Sequence, residues 1–282
     1  METLVRSMDL HSRIDAWRRA GERIAFVPTM GNLHAGHYSL VELARTRAAR
    51  VVASVFVNPT QFGPREDFAS YPRTLDEDRA GLAAHGCDLL FAPAVEEIYP
   101  FGTVQSVRVE VPGLSDILDG AARPGHFTGV ATVVTKLFNL VQPDVAVFGQ
   151  KDYQQLLVIR RLTEDLRLPI EIVGAPTRRE AHGLAMSSRN QYLSADERAH
   201  AAIIYRTLQA MRDGLHAGQD IAAVQSQARE GLITAGLAPD YAVLRNAADL
   251  SEPAPETRSG LIALIAARLG RARLIDNLIT DL

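Results

Sequence analysis

Cysteine and long apolar runs are scarce in this chain of 282 residues, and each scarcity excludes a class of protein. Cys87 is the single cysteine, which excludes an internal disulfide and a cysteine-based zinc site. Because it precedes an apolar run, we expect a buried structural thiol there. No apolar stretch reaches the roughly 18–20 residues of a membrane span. The first residues carry acidic side chains and lack the apolar core of a signal peptide, so we expect a soluble cytoplasmic protein without a membrane partner.

An excess of charge of one sign is also lacking. The 30 basic and 33 acidic residues give a formal charge of −3, so nothing indicates bulk attraction to nucleic acid. Among the basic residues, Lys136 and Lys151 are the only lysines. Such a chain is expected to keep lysine where arginine will not serve, although two cases also fit chance. Lys136 falls inside a predicted helix, where a solvated or snorkelling side chain is expected.

What is present is a pattern of short apolar runs that alternate with helical segments. The runs lie at residues 23–29, 51–57, 88–92, 145–149 and 170–173, with helices near 36–50, 75–85, 128–141 and 153–166. This alternation predicts βαβ units in an α/β fold with a Rossmann-like, mostly parallel sheet. Residues 104–111 alternate with a period of two, which predicts a half-exposed or edge strand.

The last third of the chain predicts a smaller α+β domain. Residues 194–235 are largely helical with a break at 217–220, and strand-like runs follow at 241–244, 261–267 and 272–277. The length allows one large domain or two smaller ones. We expect two: a Rossmann-like domain over residues 1–179 and an α+β domain over 180–282.

A histidine motif, PTMGNLHAGH, occupies residues 28–37 after the first predicted strand, where ligands of an open parallel sheet bind. His34 and His37 share one face of a helix start and can hydrogen-bond phosphate oxygens. Gly31 and Gly36 allow close approach of the backbone, and its N–H groups are expected to be free for phosphate. The alternative is a plain turn with two surface histidines. The motif resembles the HIGH signature of nucleotidyltransferases, which bind ATP and transfer adenylate.

A second phosphate-binding segment fits residues 183–190, GLAMSSRN. The hydroxyls of Ser187 and Ser188 and the guanidinium of Arg189 suit triphosphate oxygens, although alone the segment could equally be a helix-capping loop. Lys151 follows a predicted strand, where its ammonium could bridge phosphates. Asp152 is expected to cap the next helix, or to help hold Mg²⁺ through water.

Two glutamines suit a second, small ligand. Gln61 follows the second predicted strand and Gln155 lies one helical turn past Lys151. Amides both donate and accept, as hydroxyl and carboxylate groups require. A lone glutamine would ordinarily belong to a polar loop.

Several segments together resemble the pantoate–β-alanine ligase family. They are PTMGNLHAGH, FVNPTQFGPREDFASYPRT, RPGHFTGVATVVTKLFNLVQPD, FGQKDYQQL and GLAMSSRNQYL, in the family's order between about residues 20 and 195. The resemblance implies an enzyme that condenses pantoate and β-alanine with ATP through a pantoyl-adenylate and releases AMP and pyrophosphate. It also implies Mg²⁺ bound by the phosphates, without a dedicated protein metal site, and a homodimer.

The resemblance also assigns residues. It implies ATP contacts at Met30, Gly31, Asn32, Leu33, His34, Ala35, Gly36, His37, Gly149, Gln150, Lys151, Asp152, Arg178, Met186, Ser187, Ser188 and Arg189. Of these, His34, His37, Lys151 and Ser187 to Arg189 are the expected catalytic groups, with His37 as proton donor. Gln61 and Gln155 correspond to the pantoate contacts, and Gln61 also to a β-alanine contact. Gln150 replaces a frequent glutamate, and Arg178 occupies a variable position, where its backbone is expected to contact ATP.

Some features stay open at this point. The acidic run of Asp76, Glu77 and Asp78 is expected to be a solvated helix start, and Arg123 and His126 are expected near the site. The alternative enzyme is a nucleotidyltransferase that adenylylates a phosphorylated substrate, against which the FVNPTQFG and QKDYQQ segments argue. A catalytically silent nucleotide-binding protein and a tRNA ligase fit the sequence less well.

Overall fold

The fold is that of a computed structural model, which describes residues 1–63, 66 and 68–281. Pro64, Arg65 and Asp67, which belong to one of the family-like segments, lie outside the described residues. The chain forms two compact units. The N-terminal unit comprises Met1–Gln150 and Gln155–Pro176, and the C-terminal unit comprises Lys151–Gln154 and Thr177–Leu282.

The N-terminal unit contains a parallel sheet, as the alternating pattern predicts. Its described strands are β1 (Glu2–Leu4), β2 (Ile24–Thr29), β3 (Arg50–Val55), β4 (Leu89–Phe91), β5 (Val145–Gly149) and β6 (Glu171–Ala175). They are ordered β1-β4-β3-β2-β5-β6, and every described pair is parallel. Strand β2 lies between β3 on one side and β5 on the other, so the strand order reverses at β2. This reversal creates a topological switch point beyond the carboxyl end of β2.

The strands of this sheet read as nearly continuous apolar runs because helices cover both faces. Residues Ile24, Ala25, Phe26 and Val27 of β2 have no solvent exposure. The helices are α1 (Ser7–Arg19), α2 (Ala35–Arg45), α3 (Leu75–Ala84), α4 (Val95–Ile98), α5 (Asp119–Ala122), α6 (His126–Val141) and α7 (Tyr153–Asp165). Cys87 is buried as predicted, and burial raises the pKa of its thiol to about 11.

The sheet differs from the sequence prediction at its edge. The described segment 104–111 is not a strand, and its alternation instead accompanies highly exposed valines, Val104 and Val107. The described edge strands are β6 and β1, and β1 pairs with β4 over three residues and is too short to show a period. Helices α1, α4 and α5 were not predicted either. The long helix α6 was predicted, and the Lys136 ammonium on it lies 5.0 Å from the centre of the Tyr99 ring.

The C-terminal unit has its own apolar core, as expected for an α+β domain. Strands β7 (Ala238–Asn246), β8 (Leu261–Leu269) and β9 (Ala272–Ile279) form an antiparallel sheet in that order. The helices are α8 (Ala195–His200), α9 (Ile203–His216) and α10 (Ile221–Thr234). The predicted break at 217–220 separates α9 from α10. Leu208, Met211 and Leu232 lie in one buried cluster with Ala263 and Ile265 of β8.

No helix within residues 1–63, 66 and 68–281 is long and apolar enough to cross a membrane.

Candidate active site

The histidine motif forms the start of α2, directly after β2. His34 is the N-cap residue, and its Nδ1 accepts the N–H of Gly36 at 3.1 Å. The Nδ1 of His37 accepts the N–H of His34 at 3.3 Å, which completes a reciprocal capping box. Because both Nδ1 atoms accept from the backbone, each neutral imidazole carries its proton on Nε2. The two rings, with centroids 4.2 Å apart, are thus held as Nε2–H donors.

The turn before α2 is held by Asp78, and this corrects two sequence predictions. The buried Asp78 carboxylate accepts the N–H groups of Asn32 at 3.0 Å and Leu33 at 2.8 Å. These N–H groups are therefore satisfied within the fold instead of free for phosphate. Asp76 and Glu77 are exposed as expected, but Asp78 is not part of a solvated helix start. Its place four residues before the buried Leu82 puts it on the inner face of α3, a spacing that the sequence does carry.

Gly31 shows why this turn needs a glycine. Its φ is +81°, and a Cβ there would lie 2.9 Å from an oxygen of Asp78 and 3.0 Å from the Val55 side chain. Its own N–H is donated to the Thr29 hydroxyl at 3.2 Å. The left-handed backbone and the close approach together leave room for hydrogen alone.

Gln61, the expected substrate contact, lies beside the histidine turn. Its side chain is 7% exposed, and its Nε2 lies 2.8 Å from the Met30 sulfur. The buried Asn58 donates to Gln61 Oε1 at 3.1 Å and to the Gly129 carbonyl at 3.1 Å. Asn58 in turn accepts a 2.7 Å hydrogen bond from the Tyr99 hydroxyl. The amide of Gln61 is thereby oriented with its nitrogen toward Met30.

The backbone around Gln61 packs directly on α6. At Gly129 a Cβ would collide with the Thr60 carbonyl and would lie 2.7 Å from the Gln61 Cα. His126 Nδ1 donates to the Gln61 carbonyl at 2.8 Å, and its Nε2 accepts from Arg123 at 2.9 Å. Burial, reinforced by the Arg123 charge, lowers the pKa of His126 to about 4, so the ring is neutral. Arg123 and His126, which were expected near the site, thus both contact the Gln61 carbonyl.

Arg123 is itself fixed by Glu66. Its Nε and Nη2 donate to the two carboxylate oxygens of Glu66 at 2.6 Å each, which is the paired geometry that favours arginine. A chain of contacts therefore runs from Glu66 through Arg123 and His126 to the backbone of Gln61.

A second set of predicted residues meets in the C-terminal unit. Lys151, Ser187 and Arg189 line one cavity, together with Asn190 and the β9 residues Arg273 to Asp276. The Lys151 ammonium lies 3.3 Å from a carboxylate oxygen of Asp152, and its side chain is 17% exposed. The cavity thus brings an ammonium, a hydroxyl and a guanidinium together, which is the donor set that phosphates require.

The loop that carries Ser187 and Arg189 follows an isolated antiparallel β-bridge. Arg179 pairs with Ala185 in an antiparallel bridge, and the Met186 N–H is donated to the Arg178 carbonyl at 2.9 Å. Ser187 then caps a 3₁₀ turn, Ser188–Tyr192, by accepting the Arg189 N–H at 3.3 Å. The loop is therefore a capping loop, which was the alternative interpretation, and it lines one cavity with Lys151, while its binding of phosphate stays a prediction. The Arg178 carbonyl, however, is engaged by Met186.

The remaining predicted residues occupy the ends of elements. Ala35 begins α2, Gly149 ends β5 and Gln150 opens a 3₁₀ turn that ends at Asp152, directly before α7. Gln155 is partly buried on α7, within the N-terminal unit. Two functional candidates escaped the sequence analysis: Asn58, which orients Gln61, and Asn277 of β9, whose amide donates to the Lys151 carbonyl. No spacing in the sequence links Asn277 to Lys151.

Comparison with known proteins addresses what this arrangement is for. The sequence model of the family described as pantoate–beta-alanine ligase matches residues 2–279. A pantothenate synthetase from Xanthomonas euvesicatoria is 58% identical over 278 residues, 99% of each chain. One from Xylella fastidiosa is 59% identical over 279 residues, again 99% of each chain.

Solved structures agree with the sequence relatives. A pantothenate synthetase from Thermus thermophilus superposes with a TM-score of 0.93 at 48% identity, covering 99% of each chain. A pantoate-beta-alanine ligase from Francisella tularensis, complexed with beta-gamma ATP and beta-alanine, gives a TM-score of 0.83 at 34% identity. It covers 99% of this chain and 98% of that one. The chain belongs to the pantoate–β-alanine ligase family.

Proposed function

We propose that this pantoate–β-alanine ligase first activates pantoate as a pantoyl-adenylate and then transfers the pantoyl group to β-alanine. A pantoate carboxylate oxygen attacks the α-phosphorus of ATP, and the bond to the bridging oxygen breaks as pyrophosphate leaves. The β-alanine nitrogen then attacks the acyl carbon, loses a proton and displaces AMP. The protein positions these groups and neutralises charge, and no covalent enzyme intermediate is needed.

The observation that carries the proposal is the cavity lined by Lys151, Ser187 and Arg189. These side chains come from distant segments and share the property of donating to phosphate oxygens. We assign the β- and γ-phosphates to them and to Ser188. The backbone segments from Gly149 to Asp152 and around Arg178 and Met186 are assigned to the rest of the nucleotide.

The histidine turn is assigned a complementary role. His34 and His37 would donate through Nε2 to the oxygens on which charge develops, with His37 as the proton donor. Because Asp78 accepts the N–H groups of Asn32 and Leu33, ATP contacts along Met30 to His37 would come from the imidazoles and the outer surface of the turn. Gln61 and Gln155 would bind the hydroxyl and carboxylate groups of pantoate, and Gln61 also β-alanine.

Magnesium belongs to this proposal as the ion that enters with ATP. Mg²⁺ keeps several waters and uses few protein carboxylates. The Asp152 side chain fits that requirement, since it is about half exposed and adjacent to the Lys151 ammonium. When bound, the ion would withdraw charge from the phosphates. The predicted domains, with ATP and pantoate on residues 1–179 and the MSSRN loop at the start of 180–282, stay part of the proposal, although Lys151–Gln154 belong to the compact C-terminal unit.

The proposal includes a homodimer in the cytoplasm. Phe101, Val104 and Val107 are each about four-fifths exposed between residues 101 and 107, and apolar side chains grouped in this way are candidates for an interface. A second copy related by a twofold axis would cover this segment with its own equivalent. The single, buried thiol is compatible with a reducing compartment.

Isotope exchange tests the proposed reaction. Enzyme, ATP, Mg²⁺ and pantoate without β-alanine should exchange labelled pyrophosphate into ATP, and AMP should accumulate only when β-alanine is added. Omitting pantoate should abolish both signals. Exchange that strictly requires β-alanine would contradict a separate adenylate step.

A further inference from the structure

We propose that Asn277 and Asp276, neighbours on β9, are positioning residues that hold Lys151 and the Ser187–Arg189 loop in their reactive arrangement. The inference rests on the proposed phosphate-binding role of Lys151. It gives a function to the part of the chain in which the sequence shows no motif. All the contacts that carry it lie within the C-terminal unit.

Asn277 fixes the backbone from which the lysine projects. Its amide donates to the Lys151 carbonyl at 2.8 Å across 126 residues of sequence, and the Asn277 residue is 7% exposed. A lysine has a flexible four-carbon stem and rotatable donors, so its ammonium is placed only as well as its backbone and surroundings place it. A buried hydrogen bond at the carbonyl is a direct way to limit that freedom.

Asp276 fixes the base of the loop on the other side of the cavity. It accepts two hydrogen bonds from Arg179, at 2.5 Å and 3.0 Å, and is 5% exposed. The Arg179 guanidinium also lies 3.7 Å from the centre of the Tyr205 ring and donates to the Gly183 carbonyl at 3.2 Å. Arg179 is the residue whose bridge to Ala185 leads into the serine–arginine loop.

The two contacts are joined on β9 itself. Asp276 accepts the Asn277 N–H at 2.8 Å, and Arg179 also donates to the Asn277 carbonyl at 3.4 Å. The strand residues Arg273 to Asp276 form a wall of the cavity that Lys151, Ser187 and Arg189 line. One strand therefore anchors both phosphate-binding segments through adjacent residues, so a displacement of either anchor would change the distance between ammonium and hydroxyl.

A double-mutant cycle separates positioning from plain structural support. Asn277→Ala, Lys151→Ala and the double variant are compared in kcat and, by calorimetry, in Kd for ATP. Misplacement of a reacting group by about 1 Å can reduce turnover roughly 10²-fold, so Asn277→Ala should lower kcat by about 10- to 100-fold with the KM for pantoate within about twofold. In the Lys151→Ala background the same change should lower kcat and ATP affinity by less than about twofold, because the group that it positions is gone.

Asn246→Ala is the matched control. Asn246 ends β7 in the same unit, and its amide donates to the Ser251 hydroxyl at 2.8 Å instead of to the Lys151 backbone. It should leave both constants unchanged. Asn277→Leu removes the donor while keeping the side-chain volume, and thermal melting should show that it folds if Asn277→Ala does not.

Each other outcome has a defined meaning. An Asn277 variant with normal turnover, an equal loss in both backgrounds, or loss of the fold in both Asn277 variants would overturn the inference and leave the proposed function standing. Normal turnover of Lys151→Ala would overturn the proposed role of Lys151, and the inference with it.

Discussion

The histidine turn and the lysine cavity hold their candidate phosphate-binding side chains in place by different contacts. In the turn, the imidazoles of His34 and His37 accept backbone N–H groups of Gly36 and His34, which lie two or three residues away. In the cavity, the Lys151 backbone is anchored by Asn277, which lies 126 residues away. A group held by its neighbours depends on local backbone geometry, whereas a group held from a distance depends on the whole unit being folded. The predictions below test this difference.

We expect the greatest loss of kcat when one donor from each region is removed. His37→Ala and Lys151→Ala should each lower kcat by about 10²–10³, since a donor aimed at developing charge is worth roughly 2.7–4 kcal/mol. Their stabilities should differ. His37→Ala also removes a capping contact, which should lower the free energy of unfolding by about 1 kcal/mol, while Lys151→Ala should leave it nearly unchanged. Steady-state kinetics measures kcat and chemical denaturation measures the free energy of unfolding. Equal destabilisation of the two variants would contradict the local capping role of His37.

The next prediction concerns the pH dependence of stability at His126, which contacts the Gln61 carbonyl across 65 residues of sequence. The pKa of His126 is lowered from 6.5 to about 4 by burial and the Arg123 charge. As pH falls from 6.5 toward 4, the unfolded chain takes up a proton that the folded chain does not, so stability present above pH 6.5 is lost. The loss should be on the order of 3 kcal/mol.

Denaturation at pH 7.5 and pH 4.5 measures this loss. His126→Asn keeps a donor for the Gln61 carbonyl but does not titrate, so it should reduce the difference between the two pH values. His11→Asn changes an exposed histidine and serves as the control. An unchanged pH dependence in His126→Asn would contradict the buried neutral ring.

A smaller effect is expected at Gln61, which should select the acid and not the nucleotide. Gln61→Ala removes a buried amide that would pair with pantoate, and hydrogen bonds of this kind are worth about 1–3 kcal/mol. Turnover with pantoate should fall by about 10- to 100-fold, the preference over a deoxy analogue should narrow, and ATP affinity should stay within a few-fold. Calorimetry with ATP and kinetics with both acids decide the assignment. A collapse of ATP affinity with unchanged acid preference would place Gln61 in the nucleotide pocket.

We expect a more modest loss of stability at Asp78, which holds the histidine turn. Asp78→Asn leaves a single amide oxygen for two backbone donors, so one of the N–H groups of Asn32 and Leu33 loses its acceptor. The free energy of unfolding should fall by about 1–2 kcal/mol, and the KM for ATP should rise as the turn loosens. Asp76→Asn, on the exposed side of α3, should stay within about 0.5 kcal/mol of the parent. Matching effects of the two variants would show that the turn holds itself without Asp78.

The difference between local and long-range contacts explains which features could be predicted from the sequence. The parallel sheet, the C-terminal α+β unit and the buried Cys87 were predictable because apolar period and run length report burial directly. The pairing of His34 with His37 was predictable from spacing alone. The roles of Asp78 and Asn277 were not, since a carboxylate on a helix or an amide on a strand gains its partner only through tertiary packing. The prediction of a strand at 104–111 was wrong because a period of two shows only which residues are apolar. It does not show whether a neighbouring strand is present to pair with them.

The contact between Gly129 and the Gln61 loop has a consequence for protein engineering. Helix α6 packs on that loop with no space for a side chain at Gly129, and the Gly129 carbonyl accepts a hydrogen bond from Asn58 of the loop. Under the proposed role of Gln61, a side chain introduced at Gly129 would displace the Gln61 backbone and so reduce acid specificity. Redesign of the proposed acid contact should therefore vary Gln61 itself and keep Gly129 and Asn58 unchanged.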